Sequence, residues 1–275
     1  MAGCSAPGVS IAVVPALSSF DRSSDRLVRN ALLMGAVPAV VVAILVALFT
    51  TWWLGLIALV VVAAVWVGLV LQRVSRSVAT VLDLIGAPPA GTGGHPRWEN
   101  IVDGLCASSG VTQPELVVLD HDAANALVVA DRQRVVLVVT TGLAEGLSQI
   151  ELEAVGANLF GRIRNGAARF TTLSVGLPGP ALATSSLITR TVAEGLGDQQ
   201  SVRSDLAAVD LTRYPPGVAL ALRAMDRIGT HIDGVAPVTA HLWMAPVVAP
   251  SAVDASVAMT ALQPLDLRIA VMDEL

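Results

Sequence analysis

The chain has 275 residues, room for one large domain or two small ones, and 54% of them are hydrophobic. That share exceeds what a globular core needs, so part of the chain is expected to lie in lipid. The net charge of -5 argues against nucleic acid as a partner, and Cys4 and Cys106 are too few for a disulfide framework or a cysteine-rich metal site, which suits a reducing, cytoplasmic setting.

Residues 1–30 read as a cytoplasmic tail. Gly8 to Leu17 is apolar but short, and Arg22, Arg26 and Arg29 follow it instead of preceding it, the wrong order for a secretory signal. Between Arg29 and Arg73 there is no charged side chain. A spanning helix takes about 20 apolar residues, so 31–72 has room for a transmembrane hairpin with helices over 31–49 and 54–71. The break at Thr50, Thr51, Trp52 and Trp53 suits a turn at the bilayer surface, and Pro38 predicts a kink in the first helix. Arginines flank both outer ends and the turn has none, so both flanks are expected in the cytoplasm of a multi-pass protein of the plasma (inner) membrane. Gly35, Ala36, Ala39 and Ala43 let another helix approach closely, which points to another integral membrane protein as partner besides the lipid bilayer.

Residues 73–94 read as a stalk and a Pro/Gly-rich linker, with a folded domain over 95–275. Helical spacing runs from Trp98 to Ser108, and β-rich runs follow at 115–119, 126–129 and 134–140. Ser148 and Glu151 form a capping box at the head of a helix whose Leu152, Val155, Leu159 and Ile163 make a buried stripe. Ala167 to Ile188, apolar but broken by glycine and proline, is expected to touch the membrane as a helical turn. Helices are expected over 202–211 and 217–228, separated by Tyr214-Pro215-Pro216. The fold class is therefore α+β, a mostly helical domain with a small sheet behind an N-terminal hairpin.

The ordered motifs Asn125-Ala126, Thr141-Gly142-Leu143, Glu151 to Val155 and Asp210 to Gly217 resemble the HtpX-like membrane zinc metallopeptidases. Thr239 to Trp243 and Pro264 to Ile269 resemble the end of actinobacterial members. The resemblance implies a zincin-like domain in which H-E-x-x-H supplies two zinc ligands and a general base, with a third ligand from E-x-x-x-D on the following helix. On the matching frame the three positions of the first motif fall on Asn158, Leu159 and Arg162, and those of the second on Ser201 and Asp205. Only the aspartate is kept. Asn, Leu, Arg and Ser make no zinc site, so neither metal nor cofactor is expected. His95, His121, His231 and His241 lack ligand spacing, and Cys106 on its apolar helix is expected to be inert. Asp205 is expected to bond Asn158 or Arg162 as an interhelix clamp; the alternative turns Arg162 to solvent and lets Leu159 and Phe160 close the gap.

These residues imply a catalytically inactive pseudopeptidase, an accessory or scaffold subunit of a membrane complex. The alternative is a binder of peptide or unfolded segments that uses Val135, Leu137 and Val139 as an edge strand. An active membrane zinc protease is the third reading.

Overall fold

The computed structural model describes residues 19–49, 51–91, 94–178, 194–197, 199–247 and 262–275. The apolar run at 8–17 and residues 179–188 of the expected membrane-touching stretch lie outside the described residues.

Helix α1 (Ser19–Met34) leads through Gly35 into α2 (Ala36–Phe49), which turns back into α3 (Trp52–Ser75). The two stretches 20–48 and 52–75 are long and apolar enough to cross a bilayer, and only 11% of each apolar window is buried, so neither is a core helix of a soluble fold. The break between α1 and α2 has a covalent cause. Pro38 brings no N–H to the ladder, and one turn earlier the Gly35 amide bonds Leu32 at 3.3 Å, leaving the Ala31 carbonyl without its helical donor. The Trp66 indole on α3 donates to that carbonyl at 2.9 Å, which satisfies it where water is absent. The ring lies against Gly35, where a Cβ would collide with it, and a Cβ on Gly55 would stand 2.8 Å from both the Ala43 carbonyl and the Ala47 methyl. Three of the four small residues expected to face a partner, Gly35, Ala39 and Ala43, are thus used inside the hairpin, with Ala39 buried and Ala36 alone exposed.

The expected tail is partly helix. α1 places Phe20 on Phe170 with ring centroids 6.0 Å apart, buries Ser24, and pairs Asp25 with Arg169 at 3.2 Å, so the chain is docked on the domain before it reaches the membrane. The expected stalk is also part of the fold: α4 (Ser77–Leu84) buries Val78 and Val81 in the core, and Gly91 donates to Leu116 at 3.0 Å. Apolar spacing in so short a segment is ambiguous until its neighbours are known.

The domain follows the expected element order, with α5 (Pro96–Ser109), β1 (Glu115–Leu119), β2 (Ala126–Ala130), β3 (Val135–Thr140), α6 (Thr141–Gly146), α7 (Gln149–Arg164), α8 (Ala167–Gly176), α9 (Gln200–Thr212), α10 (Pro215–Ile228), a 3-10 turn (Pro237–Leu242) and α11 (Leu265–Asp273). The capping box is formed, with the Ser148 amide donating to Glu151 at 2.7 Å. Strand alternation divides the core. Val128, Leu137 and Val139 face Trp98, Leu152, Val155 and Met225 of the helical layer, while Leu127, Val136 and Val138 face Val81, Val175 and Trp243 on the other side.

Sheet order is β1-β3-β2, with β1 parallel and β2 antiparallel to β3. β3 is therefore central. Leu137 and Val139 are paired on both sides, Val135 pairs with Ala130 of β2, and all three point into or against the helical core, which removes the strand as an edge for peptide addition. α8 is buried along most of its length, so 167–176 packs within the domain and does not lie on the membrane. A strongly apolar run reads the same whether lipid or protein covers it.

The outer ends of the hairpin meet the same helix, α8, through Phe20 and through Ser77, against which Gly176 packs without space for a Cβ. In a Cys4→Ser, Cys106→Ser background, single cysteines introduced as Thr51→Cys and Ser75→Cys are expected to be modified by an impermeant maleimide from opposite sides of sealed vesicles. Modification of both from one side would overturn the hairpin.

Candidate functional site

α7 and α9 run against each other, and the contact is close because residue 161 is glycine: a Cβ there would stand 2.7 Å from the Ala207 methyl. This brings Asn158 and Arg162, one turn apart on α7, to Ser201 and Asp205 on α9, all four buried. The Asn158 amide donates to Asp205 Oδ1 at 2.8 Å, so the expected clamp forms through the asparagine.

The stronger partner of Asp205 comes from elsewhere. Arg268 of α11, fully buried, donates from Nε to Oδ2 and from Nη2 to Oδ1, both at 2.7 Å, and from Nη1 to the Met244 carbonyl at 2.7 Å. This is the two-pronged pairing that a planar guanidinium makes with a carboxylate. Asp205 thereby accepts three hydrogen bonds, two of them charge-assisted. The end of the chain is tied in a second time, because Gln263 accepts the Ser201 amide at 3.0 Å.

Arg162 takes neither expected course. It bonds neither Asp205 nor solvent, and its guanidinium is buried against the 242–245 segment, donating to Leu242 at 2.8 Å and to Trp243 at 3.3 Å. Burial and, second, the positive charge of Arg268 push its pKa down to about 10, opposed by Asp205, so it remains a cation at neutral pH. Leu159 and Phe160 are fully buried beside it. Among the described residues Arg162 Nε and Asn158 Oδ1 have no partner. The junction thus gathers two guanidinium groups around one carboxylate.

The 242–245 segment is held at every step. Asn125 donates to the Ala245 and Thr230 carbonyls at 3.0 Å and accepts the Ala245 amide at 3.2 Å, and Met244 donates to Ala126 on the outer edge of β2 at 2.8 Å. Thr140 accepts the Asn125 amide at 2.9 Å. The Asn125-Ala126 motif is thereby explained as a tie between strand and tail.

The histidines do not converge. His121 accepts the Ala123 amide at 3.0 Å, and His231 meets Asp233 at 3.1 Å at the surface. His241 is buried with Nε2 2.9 Å from Ser174 Oγ, and burial, partly offset by a hydrogen bond that the ring donates to the Thr171 backbone, pushes its pKa down to about 4. Cys106 is only partly buried, with its thiol raised by burial and by Asp103. Among the described residues no three of His, Cys, Asp or Glu stand together as a metal would need.

The chain is 28% identical over 183 residues to a protein of Dictyoglomus turgidum named Protease HtpX homolog, covering 54% of this chain and 60% of that protein. Proteins of the same name from Tropheryma whipplei strain Twist and Acidiphilium cryptum are 24% and 33% identical, over 58% and 56% of this chain and 66% and 52% of theirs. The chain spans less than two thirds of the length of these relatives. No family model matches it, and no solved structure matches it significantly.

Removing one partner from a buried, hydrogen-bonded ion pair costs about 3–5 kcal/mol because the other charge is left uncompensated. Arg268→Met and Asp205→Asn are each expected to lower unfolding stability by that order, and the double variant by less than the sum. Additive losses in a denaturant titration would show that the pair is not coupled.

A second expectation concerns pH. His241 titrates near 6.5 unfolded and about 4 folded, so the unfolded chain binds the extra proton in between. Its contribution to stability is complete above about 6.5 and falls as pH drops towards about 4, so His241→Gln should flatten the acid limb of stability against pH. An unchanged slope would refute this.

Proposed function

We infer that this HtpX-like membrane protein, whose curated relatives are named proteases, is a pseudopeptidase that serves as an accessory or scaffold subunit of a membrane complex, with its N-terminus and folded domain in the cytoplasm and its hairpin in the plasma (inner) membrane. The observation that carries the reading is the donor set at Asn158, Arg162, Ser201 and Asp205, the positions that the family resemblance assigns to zinc ligands and their support. The one carboxylate is already saturated by Asn158 and Arg268, and Arg162 adds a second buried cation.

These residues do not fit zinc. A dication needs imidazole, thiolate or carboxylate ligands with free lone pairs, and two guanidinium groups at the same junction repel it. Leu159, at the general-base position, has no proton acceptor. Asp205 keeps the role it would have behind a ligand, holding the side chain of residue 158 in place, although that side chain is now an amide. The cytoplasmic placement rests on the arginines at both outer ends of the hairpin.

Metal analysis of the purified full chain after incubation with zinc, run beside a cleavage assay on an unfolded membrane substrate, tests this. The expected result is sub-stoichiometric zinc and no cleavage, with zinc retention improved in the Asn158→His, Leu159→Glu, Arg162→His, Ser201→Glu variant. Stoichiometric zinc in the wild type, removed by chelator together with a cleavage activity, would sink the reading.

A further inference from the structure

α1 is segregated by charge as well as by polarity. Its acids turn to the domain: Asp25 pairs with Arg169 at 3.2 Å and with Arg132 at 3.3 Å, and Asp21 lies 3.9 Å from Arg169. Its bases do not. Arg22, Arg26 and Arg29 recur at spacings of four and three residues, which places them in one stripe along the helix, and all three are exposed. At the far end of α3, Arg73 and its C-cap Arg76 are exposed as well. Among the described residues none of these five arginines forms an ion pair, and no acidic residue occurs between Asp25 and Asp83.

The bond from Trp66 to Ala31 fixes the relative height of the two groups. At about 1.5 Å rise per residue in antiparallel helices, Arg29, Arg26 and Arg22 stand roughly 3, 8 and 14 Å beyond that level, and Arg73 and Arg76 roughly 10 and 15 Å. All five therefore form one band about 12 Å deep that begins where the uncharged stretch ends. Trp52 and Trp53, both exposed, mark the opposite end, and the stretch from Trp52 to Leu71 is about 29 Å long, close to the thickness of a bilayer's hydrocarbon layer. Leu71 stands about 8 Å beyond the same level, so Arg26, Arg22, Arg73 and Arg76 fall in the headgroup layer on the side of the folded domain and just beyond it, and Arg29, about 5 Å deeper, reaches that layer with its long side chain.

We propose that Arg22, Arg26, Arg29, Arg73 and Arg76 form a binding site for anionic lipid headgroups, which dock the domain against one leaflet. The inference rests on the hairpin spanning the bilayer and is independent of whether the domain is catalytic. In a chain with a net charge of -5, this concentration of unpaired positive charge beside the uncharged spans meets lipid phosphate before any other partner. Paired carboxylates on the inner side of α1 keep the stripe pointing outward, and guanidinium forks suit phosphate oxygens.

Native mass spectrometry of the full chain in detergent, titrated with phosphatidylglycerol or phosphatidylcholine, tests the proposal. Phosphatidylglycerol is expected to be retained more tightly. Each arginine removed should weaken it roughly fivefold, so Arg22→Gln with Arg26→Gln, and separately Arg73→Gln with Arg76→Gln, should each lose about 25-fold. The two pairs are removed separately so that flanking charge remains to hold the hairpin in its membrane. Replacing all five arginines by lysine should keep most of the preference, which guards against a variant that fails to fold. Equal retention of the two lipids, an unchanged preference in both pair variants, or displacement of the lipid by inorganic phosphate but not by sodium chloride of equal ionic strength would each overturn the proposal.

Discussion

The buried carboxylate of Asp205 is the constraint around which the domain is assembled. A charge with no exposure is tolerated only when its oxygens are filled, and here Arg268 and Asn158 fill them from two other helices. Because Arg268 also holds Met244, and Arg162 holds Leu242 and Trp243, the same junction pins the irregular segment before the C-terminal helix against the edge of β2. The cost is an excess of one positive charge in the interior, which Arg162 bears with a lowered pKa. Leaving such a charge inside while every carbonyl of the neighbouring segment finds a donor gives this junction a structural logic of its own, independent of any reaction.

The hairpin answers the other hard constraint, the satisfaction of backbone polar groups where there is no water. Pro38 and Gly35 open the helical ladder, and Trp66 closes it from the neighbouring helix. Small residues then serve close packing of the two helices on each other. Beyond the spans, α1 docks on α8 through an aromatic contact and an ion pair. Anchor and domain therefore share an interface and are not joined by a loose tether.

Much was legible in the sequence because it was local. The uncharged stretch between Arg29 and Arg73, the alternation in the three strands, the capping box at Ser148 and the proline stop after Tyr214 each depend on residues a few positions apart, where periodicity and capping chemistry act. The placement of Asn158 and Asp205 opposite each other was also readable, through the spacing on two adjacent helices and the family resemblance. Two of the apolar segments were not readable in the same way. α4 and α8 carry the composition of a stalk and of a membrane-touching turn, and only their neighbours in space decide that protein covers them.

What tertiary structure alone decided are the pairings between distant parts of the chain. Arg268 lies 63 residues from Asp205, and no period or spacing connects them; the signal within reach was the arginine between Leu267 and Ile269 of the resembling motif. The central place of β3, which withdrew Val135, Leu137 and Val139 as an edge, follows from its direct parallel pairing with β1, a strand that is not its neighbour in sequence. The sequence by itself determined which segments are helix, strand and membrane-apolar, because those follow from side-chain pattern along the chain. Which charge meets which, and which apolar face meets protein or lipid, depends on loop closure between remote segments, and the fold supplied it.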